Sequence, residues 1–243
     1  EDRLKYASEQ FSNSLRRTCY DFNRLMAPVF GLDEIKIPMV QGDFLFGGVQ
    51  AYLFKDGEGD FVAKVSNSFV QDVLGFDCET CFERWMQTRS FNLAHELGHV
   101  VHSIVNPDVF QKGADERKSG ECLEHWLLGE VISELSAYVF FDKKGKLGSL
   151  SDFPFCSQEG NHLEVEYDYT AMAFKLLQKG KNTGQRDVLL DYLMRSDLKD
   201  GQEVIEPFRD SLKNIYSPAY FMYFGMCEHE DNGRPVRRDS QYT

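Results

Sequence analysis

The sequence predicts an α+β domain built from an N-terminal helix, a small twisted β-sheet and a mainly helical C-terminal part. Three observations predict it. Residues 3–26, RLKYASEQFSNSLRRTCYDFNRLM, place Leu4, Phe11, Leu15, Tyr20, Phe22 and Leu25 at three- and four-residue steps, the period of an amphipathic helix. Residues 35–69 then change to short β-branched and aromatic segments separated by glycine turns. From Glu83 onward, long apolar-periodic segments return.

Each element has its own signals. The first helix ends at Pro28, because the residue before a proline is pushed out of the helical region. IKIPMV, GGVQAYLF and FVAKVSNSF, divided by Gly42-Asp43, Gly47-Gly48 and KDGEGD, read as a meander of about three strands. FVAKVSNSF is the expected edge strand, able to hold an extended substrate by strand addition. A long helix over 84–105 stops at Asn106-Pro107, and 108–121, polar and glycine-containing, reads as loop. A second strong helix spans 123–141, and two further helices are expected within 165–179 and 186–196. Residues 203–226, amphipathic and aromatic-rich, read as helical too. The expected organisation is one domain over 1–243. It comprises the first helix (1–29), sheet plus metal-binding helices (30–141), a helical part (142–228) and a flexible tail (229–243).

Charge and composition narrow the partners. A net charge of −12 disfavours nucleic acid and anionic membrane surfaces. No apolar run reaches the length of a membrane span. Six cysteines are sparse for 243 residues, which favours free thiols in a reducing, cytoplasm-type compartment. The opening EDRLKYASEQ carries no signal-peptide pattern.

The chemistry concentrates in SFNLAHELGHVVHS. His95 and His99, four apart, leave one face of a helix, with Glu96 one step round from them. This is H-E-x-x-H, in which two neutral imidazoles hold a Zn²⁺ ion, one per chain. The glutamate then acts as general base on a metal-activated water that attacks a carbonyl. Glu96 is therefore the expected catalytic residue. The flanking Phe91, Leu93, Ala94, Leu97, Val100 and Val101 make the helix deeply apolar, so histidines buried there need partners. Gly98 costs about 1 kcal/mol against Ala inside a helix, which predicts close packing at that point. His102 lies one turn beyond His99, poorly placed for the same ion, and is expected partly exposed, at most in an outer shell. The third ligand is sought on the next helix, where Glu130 and Glu134 flank the apolar side marked by Leu127, Val131, Leu135 and Tyr138. One of the two is expected to lie on a solvated face.

RSFNLAHELGHVVHS followed by SELSAYVFF resembles the gluzincin metallopeptidases, most closely the ImmA/IrrE group. Arg89, Phe91, Ala94, His95, Glu96, Gly98, His99 and, displaced by one place, His102 match the group's first motif. Glu134, Ala137 and Phe140 match its second, and the likeness covers roughly 30–141. The resemblance implies a zincin-like fold, Glu134 as third metal ligand and Glu130 in the outer shell or at the surface. It also implies an alternative function, a regulatory protease cleaving a bacterial repressor. The spacing of 35 from His99 to Glu134, with NPDVFQK between, is similar to that of clostridial neurotoxin light chains. That likeness implies a zinc endopeptidase working inside a host cell, a bacterial effector cutting a cytosolic or cytoskeletal protein. A competing class is a non-hydrolytic sensor or binding module that keeps the metal as a structural staple.

Lesser signals remain. Cys78 and Cys81 form a lone C-x-x-C that Cys122 and His125 could complete as a structural zinc site, though solvated or core thiols are the preferred reading. Hydrolysis needs an oxyanion stabiliser, and His162, Tyr167, Tyr169, Tyr220, Tyr223 and His229 are the candidates.

Overall fold

The computed structural model describes residues 2–43, 51–66, 79–119, 123–147 and 164–205. Six helices, α1 (Asp2–Met26), α2 (Glu79–Val105), α3 (Pro107–Ser119), α4 (Glu124–Lys143), α5 (Glu164–Asn182) and α6 (Arg186–Arg195), accompany three strands. The strands are β1 (Met39–Asp43), β2 (Ala51–Lys55) and β3 (Phe61–Ser66). The protein is thus α+β and mostly helical, with a small mixed sheet.

α1 is an amphipathic helix whose buried stripe is Ala7, Phe11, Leu15, Cys19, Phe22 and Met26. Tyr20, expected on that stripe, is 69% exposed; Cys19, one step back, takes the inward place. A single 3-10 turn, Ala27–Phe30, follows Met26 and closes on Gly31 at φ 66°, a left-handed conformation that suits glycine.

The strands are not a meander. β2 and β3 form an antiparallel hairpin, but β1 runs parallel to β3, giving the order β1-β3-β2. The hairpin turn is built by Asp56, whose carboxylate accepts from the N–H groups of Glu58 (2.9 Å) and Asp60 (3.0 Å), with Gly59 at φ 86°. β3 is therefore the central strand, not the edge expected for FVAKVSNSF. The reason is visible in its burial: Val62, Ala63 and Val65 are all buried, and they lie on both faces. Among the described residues β1 and β2 are the edges.

Residues 107–119 form a helix where a loop was expected. Pro107 at the first position, Asp108 in the first turn, and Arg117 with Lys118 in the last are favourable helix-end chemistry. Glycine content misled there, because Gly113 serves packing. A Cβ on it would sit 3.1 Å from the His125 and Trp126 backbone. Beyond Ile205, the helix expected over 203–226 and the tail expected over 229–243 lie outside the described residues, apart from one helical turn, Gln202–Ile205.

α4 is the hub of the core. Every residue from Leu127 to Phe141 is buried except Glu130, which is half-buried, so this helix has no solvated face. It packs against α2 more extensively than any other helix pair. Apolar Leu93, Ala94, Leu97 and Val101 of α2 are all fully buried. No helix among the described residues is long and apolar enough to cross a membrane.

Candidate metal centre

α2 and α4 can approach closely because Gly98 has no side chain. A Cβ there would lie 2.8 Å from Ser133 Cα and 3.0 Å from Ser133 O. The predicted close contact at Gly98 is thus present, and it brings His95 and His99 of α2 against Glu130, Ser133 and Glu134 of α4.

Three atoms converge. His95 Nε2 lies 3.2 Å from His99 Nε2 and 3.1 Å from Glu130 Oε2, and His99 Nε2 lies 3.5 Å from the same oxygen. His95, His99 and Glu130 form a group able to hold a metal ion. The donor set fits zinc. A tetrahedral ion with bonds of about 2.0–2.2 Å keeps its ligand atoms roughly 3.3 Å apart, which is the size of this triangle. Two imidazole nitrogens and a carboxylate oxygen are also what such an ion takes at a catalytic site.

The other nitrogen of each imidazole is anchored. His95 Nδ1 donates to Glu134 Oε2 at 2.8 Å, and Thr170 Oγ1 of α5 donates to Glu134 Oε1 at 3.2 Å. His99 Nδ1 lies 2.9 Å from Ser133 Oγ. These contacts fix ring orientation and leave both Nε2 atoms facing the shared point. The two glutamates therefore stand in each other's expected places. Glu130, read as outer shell or surface, meets the Nε2 triangle, whereas Glu134, read as ligand, meets His95 from behind. One helical turn separates them, so neither composition nor periodicity distinguishes the two. Neither lies on a solvated face, since their side chains are only 13% and 8% exposed.

Electrostatics ties the group together. Burial alone would lower the His95 pKa, but hydrogen bonds and charges from Glu130 and Glu134 outweigh it and hold the ring well above its usual value. Burial would raise Glu130; His99 and His95 outweigh that and hold it well below the carboxylate range. A bare cluster thus keeps protons that a bound cation displaces. Glu96, half-buried on the flank of α2, has its pKa raised by burial, against lowering by His95 and His99. A raised carboxylate pKa suits proton transfer near neutral pH.

The remaining expectations divide. His102 is not partly exposed but buried at 1%, and neither ring nitrogen has a partner among the described residues. Its face of α2 turns inward, against Gly129 and Phe110, which a polar residue near a helix end does not signal. Tyr167 and Tyr169 fall in the first turns of α5, but their side chains lie outside the described residues, as do His162, Tyr220, Tyr223 and His229 altogether. His125 is held by Glu116, whose carboxylate also accepts from the His125 and Trp126 backbone N–H groups at 2.8 and 3.1 Å. Cys78 and Cys122, needed for the second zinc site, lie outside the described residues. Cys19 is a free, buried thiol, pushed up to about 11 by burial. Sequence reasoning missed Ser133 and Thr170. Ser133 carried a signal, a hydroxyl inside an otherwise apolar helix one step from Glu134; Thr170 carried none.

No family model matches the chain, and among curated proteins and solved structures none matches it either.

Proposed function

We propose that the protein is a zinc-dependent peptide hydrolase of zincin-like architecture, with His95, His99 and Glu130 as metal ligands and Glu96 as general base. The observation that carries this reading is the triangle of His95 Nε2, His99 Nε2 and Glu130 Oε2, with sides of 3.1 to 3.5 Å and each imidazole braced from behind. Assigning Glu130 as ligand leaves Glu134 to orient His95 through Nδ1, a role that also strengthens the ring as a donor.

A zinc ion at such a donor set lowers the pKa of a water to about 7 and polarises a carbonyl. The chain's own residues do the rest. Glu96 accepts a proton from the attacking water as its oxygen bonds to the acyl carbon. It then delivers that proton to the amine as the C–N bond breaks, leaving a carboxylic acid and an amine. Glu134 and Ser133 keep the imidazoles in the tautomer whose Nε2 lone pairs face inward. The ligand side chains are 12–15% exposed, so solvent reaches the group, as an enzyme requires and a closed structural site does not. An extended protein substrate pairs with an edge strand, β1 or β2, rather than with β3.

Glu96→Gln tests this reading. The variant keeps stoichiometric zinc and loses hydrolysis, and comparing cleaved termini in proteomes treated with either protein identifies the substrate, bacterial repressor or host protein. Identical termini from wild type and Glu96→Gln overturn the hydrolase and leave the metal as a structural staple.

A further inference from the structure

Among the described residues, Arg89 is a buried cation with no counter-charge. Its residue exposure is 6%, its Nε is sealed from solvent without an acceptor among the described residues, and its guanidinium stacks over Trp85 at 5.4 Å. Burial pushes its pKa down to about 10, and no carboxylate among the described residues restores it. Leaving a charged group buried and unpaired is costly, and such a group is most stable when an anion arrives. Three residues on, Asn92 Nδ2 is likewise sealed and has no partner among the described residues. Arg89, Asn92 and Glu96 follow one another at steps of three and four, so they share one flank of α2.

We propose that Arg89 is a specificity-determining residue that takes a carboxylate of the peptide substrate, with Asn92 donating to a neighbouring carbonyl. Resting on the hydrolase reading, it names the substrate class: peptides carrying an acidic group about three residues from the bond attacked. The spacing follows from the helix. Seven residues at about 1.5 Å per residue separate Arg89 from Glu96 by roughly 10 Å. An extended peptide advances about 3.3 Å per residue and covers that in three. A guanidinium suits the task because its planar fork meets both carboxylate oxygens. The contact is short-range and desolvated, so it works against the chain's overall −12 charge and selects one acidic group rather than acidic proteins in general. The carboxylate can be an Asp or Glu side chain or the peptide's own C-terminus.

The experiment measures binding without turnover. Immobilised, zinc-loaded Glu96→Gln protein is exposed to a proteome-derived peptide library, half of it with amidated C-termini, and retained peptides are sequenced. Enrichment of Asp or Glu in both halves assigns the side chain; enrichment of free C-termini in the unamidated half alone assigns the terminus. Adding Arg89→Met removes the enrichment, and Arg89→Lys, which keeps the charge but not the fork, weakens retained peptides by roughly tenfold. Melting curves and zinc content of each variant confirm an intact fold, and Arg89→Lys carries the test where Arg89→Met does not fold. Retained peptides without acidic enrichment, or enrichment and affinity unchanged by the Arg89 substitutions, overturn the proposal. Wild type that cuts no peptide overturns the hydrolase reading alone, since acidic enrichment on the column is read independently.

Discussion

Gly98 and Ser133 are in backbone contact: a Cβ on Gly98 would stand 2.8 Å from Ser133 Cα, closer than real Cβ atoms come. The same approach lets Ser133 Oγ reach His99 Nδ1 at 2.9 Å. Gly98→Ala gains about 1 kcal/mol of helix propensity yet must push α2 from α4. Overpacking costs about 1–3 kcal/mol, so the variant melts at or below the wild-type temperature and binds zinc more weakly. A melting curve with a zinc titration checks both, and a more stable variant with unchanged affinity refutes the close contact.

Glu130 and Glu134 separate by their roles on His95. Glu130→Ala removes one of the three proposed ligand atoms, so the variant is expected to lose zinc to dialysis. Glu134→Ala removes the acceptor behind His95 Nδ1 and weakens zinc about 10- to 100-fold without abolishing it. Metal content and competition against a chromogenic chelator measure the two. A Glu134→Ala protein that loses zinc while Glu130→Ala keeps it reverses the assignment.

Much of this was legible in the residues, for identifiable reasons. H-E-x-x-H is local, and helical spacing alone brings His95 and His99 together, with Glu96 on the adjoining flank; Gly98 announced its contact by being a costly residue for a helix. The second and third strands were legible from composition, but β1 runs over Met39–Asp43, through the Gly42-Asp43 expected as a turn, and its parallel pairing with β3 is a long-range choice that neighbouring segments do not encode. α3 was hidden because glycine and polar residues read as loop until Gly113 is seen against the α4 backbone. The choice between Glu130 and Glu134 depends on how α4 is rotated against α2. That rotation is set by the Gly98–Ser133 contact rather than by either glutamate.

Acid stability should report on the C-terminal end of α4. Asp142 pairs with Lys181 at 2.6 Å and with Arg186, while Lys144 reaches Asp21 of α1 at 2.7 Å and Lys143 reaches Asp187 of α6 at 2.6 Å. Burial would raise Asp142, but hydrogen bonds from Lys181 and Arg186 outweigh it and lower its pKa. A carboxylate lowered by folding stabilises above its unfolded value, near 4, and that stability is lost as pH falls below it. Asp142→Asn is expected to cost about 1–2 kcal/mol at pH 7 and to flatten the loss below pH 4. Urea unfolding from pH 7 to 3 checks this, and parallel curves for the two proteins refute it.

His102 acts in a different pH window. Buried at 1% with both nitrogens unpartnered among the described residues, its pKa is pushed down to about 3, by burial first and then by His99. The unfolded chain takes up this proton near pH 6.5, whereas the folded chain resists until about 3, so the folded state loses stability progressively across that interval. His102→Leu keeps similar volume and removes two polar atoms whose unmet hydrogen bonds cost about 1–3 kcal/mol each. The variant should equal or exceed wild-type stability at pH 7 and lose less of it between pH 6.5 and 4. Combined with Asp142→Asn, which costs stability at pH 7 and changes the slope only below pH 4, the two effects should add and their slopes separate, because the sites share no partner. Destabilisation of His102→Leu by more than about 2 kcal/mol at pH 7 means the imidazole holds a partner worth more than its burial costs.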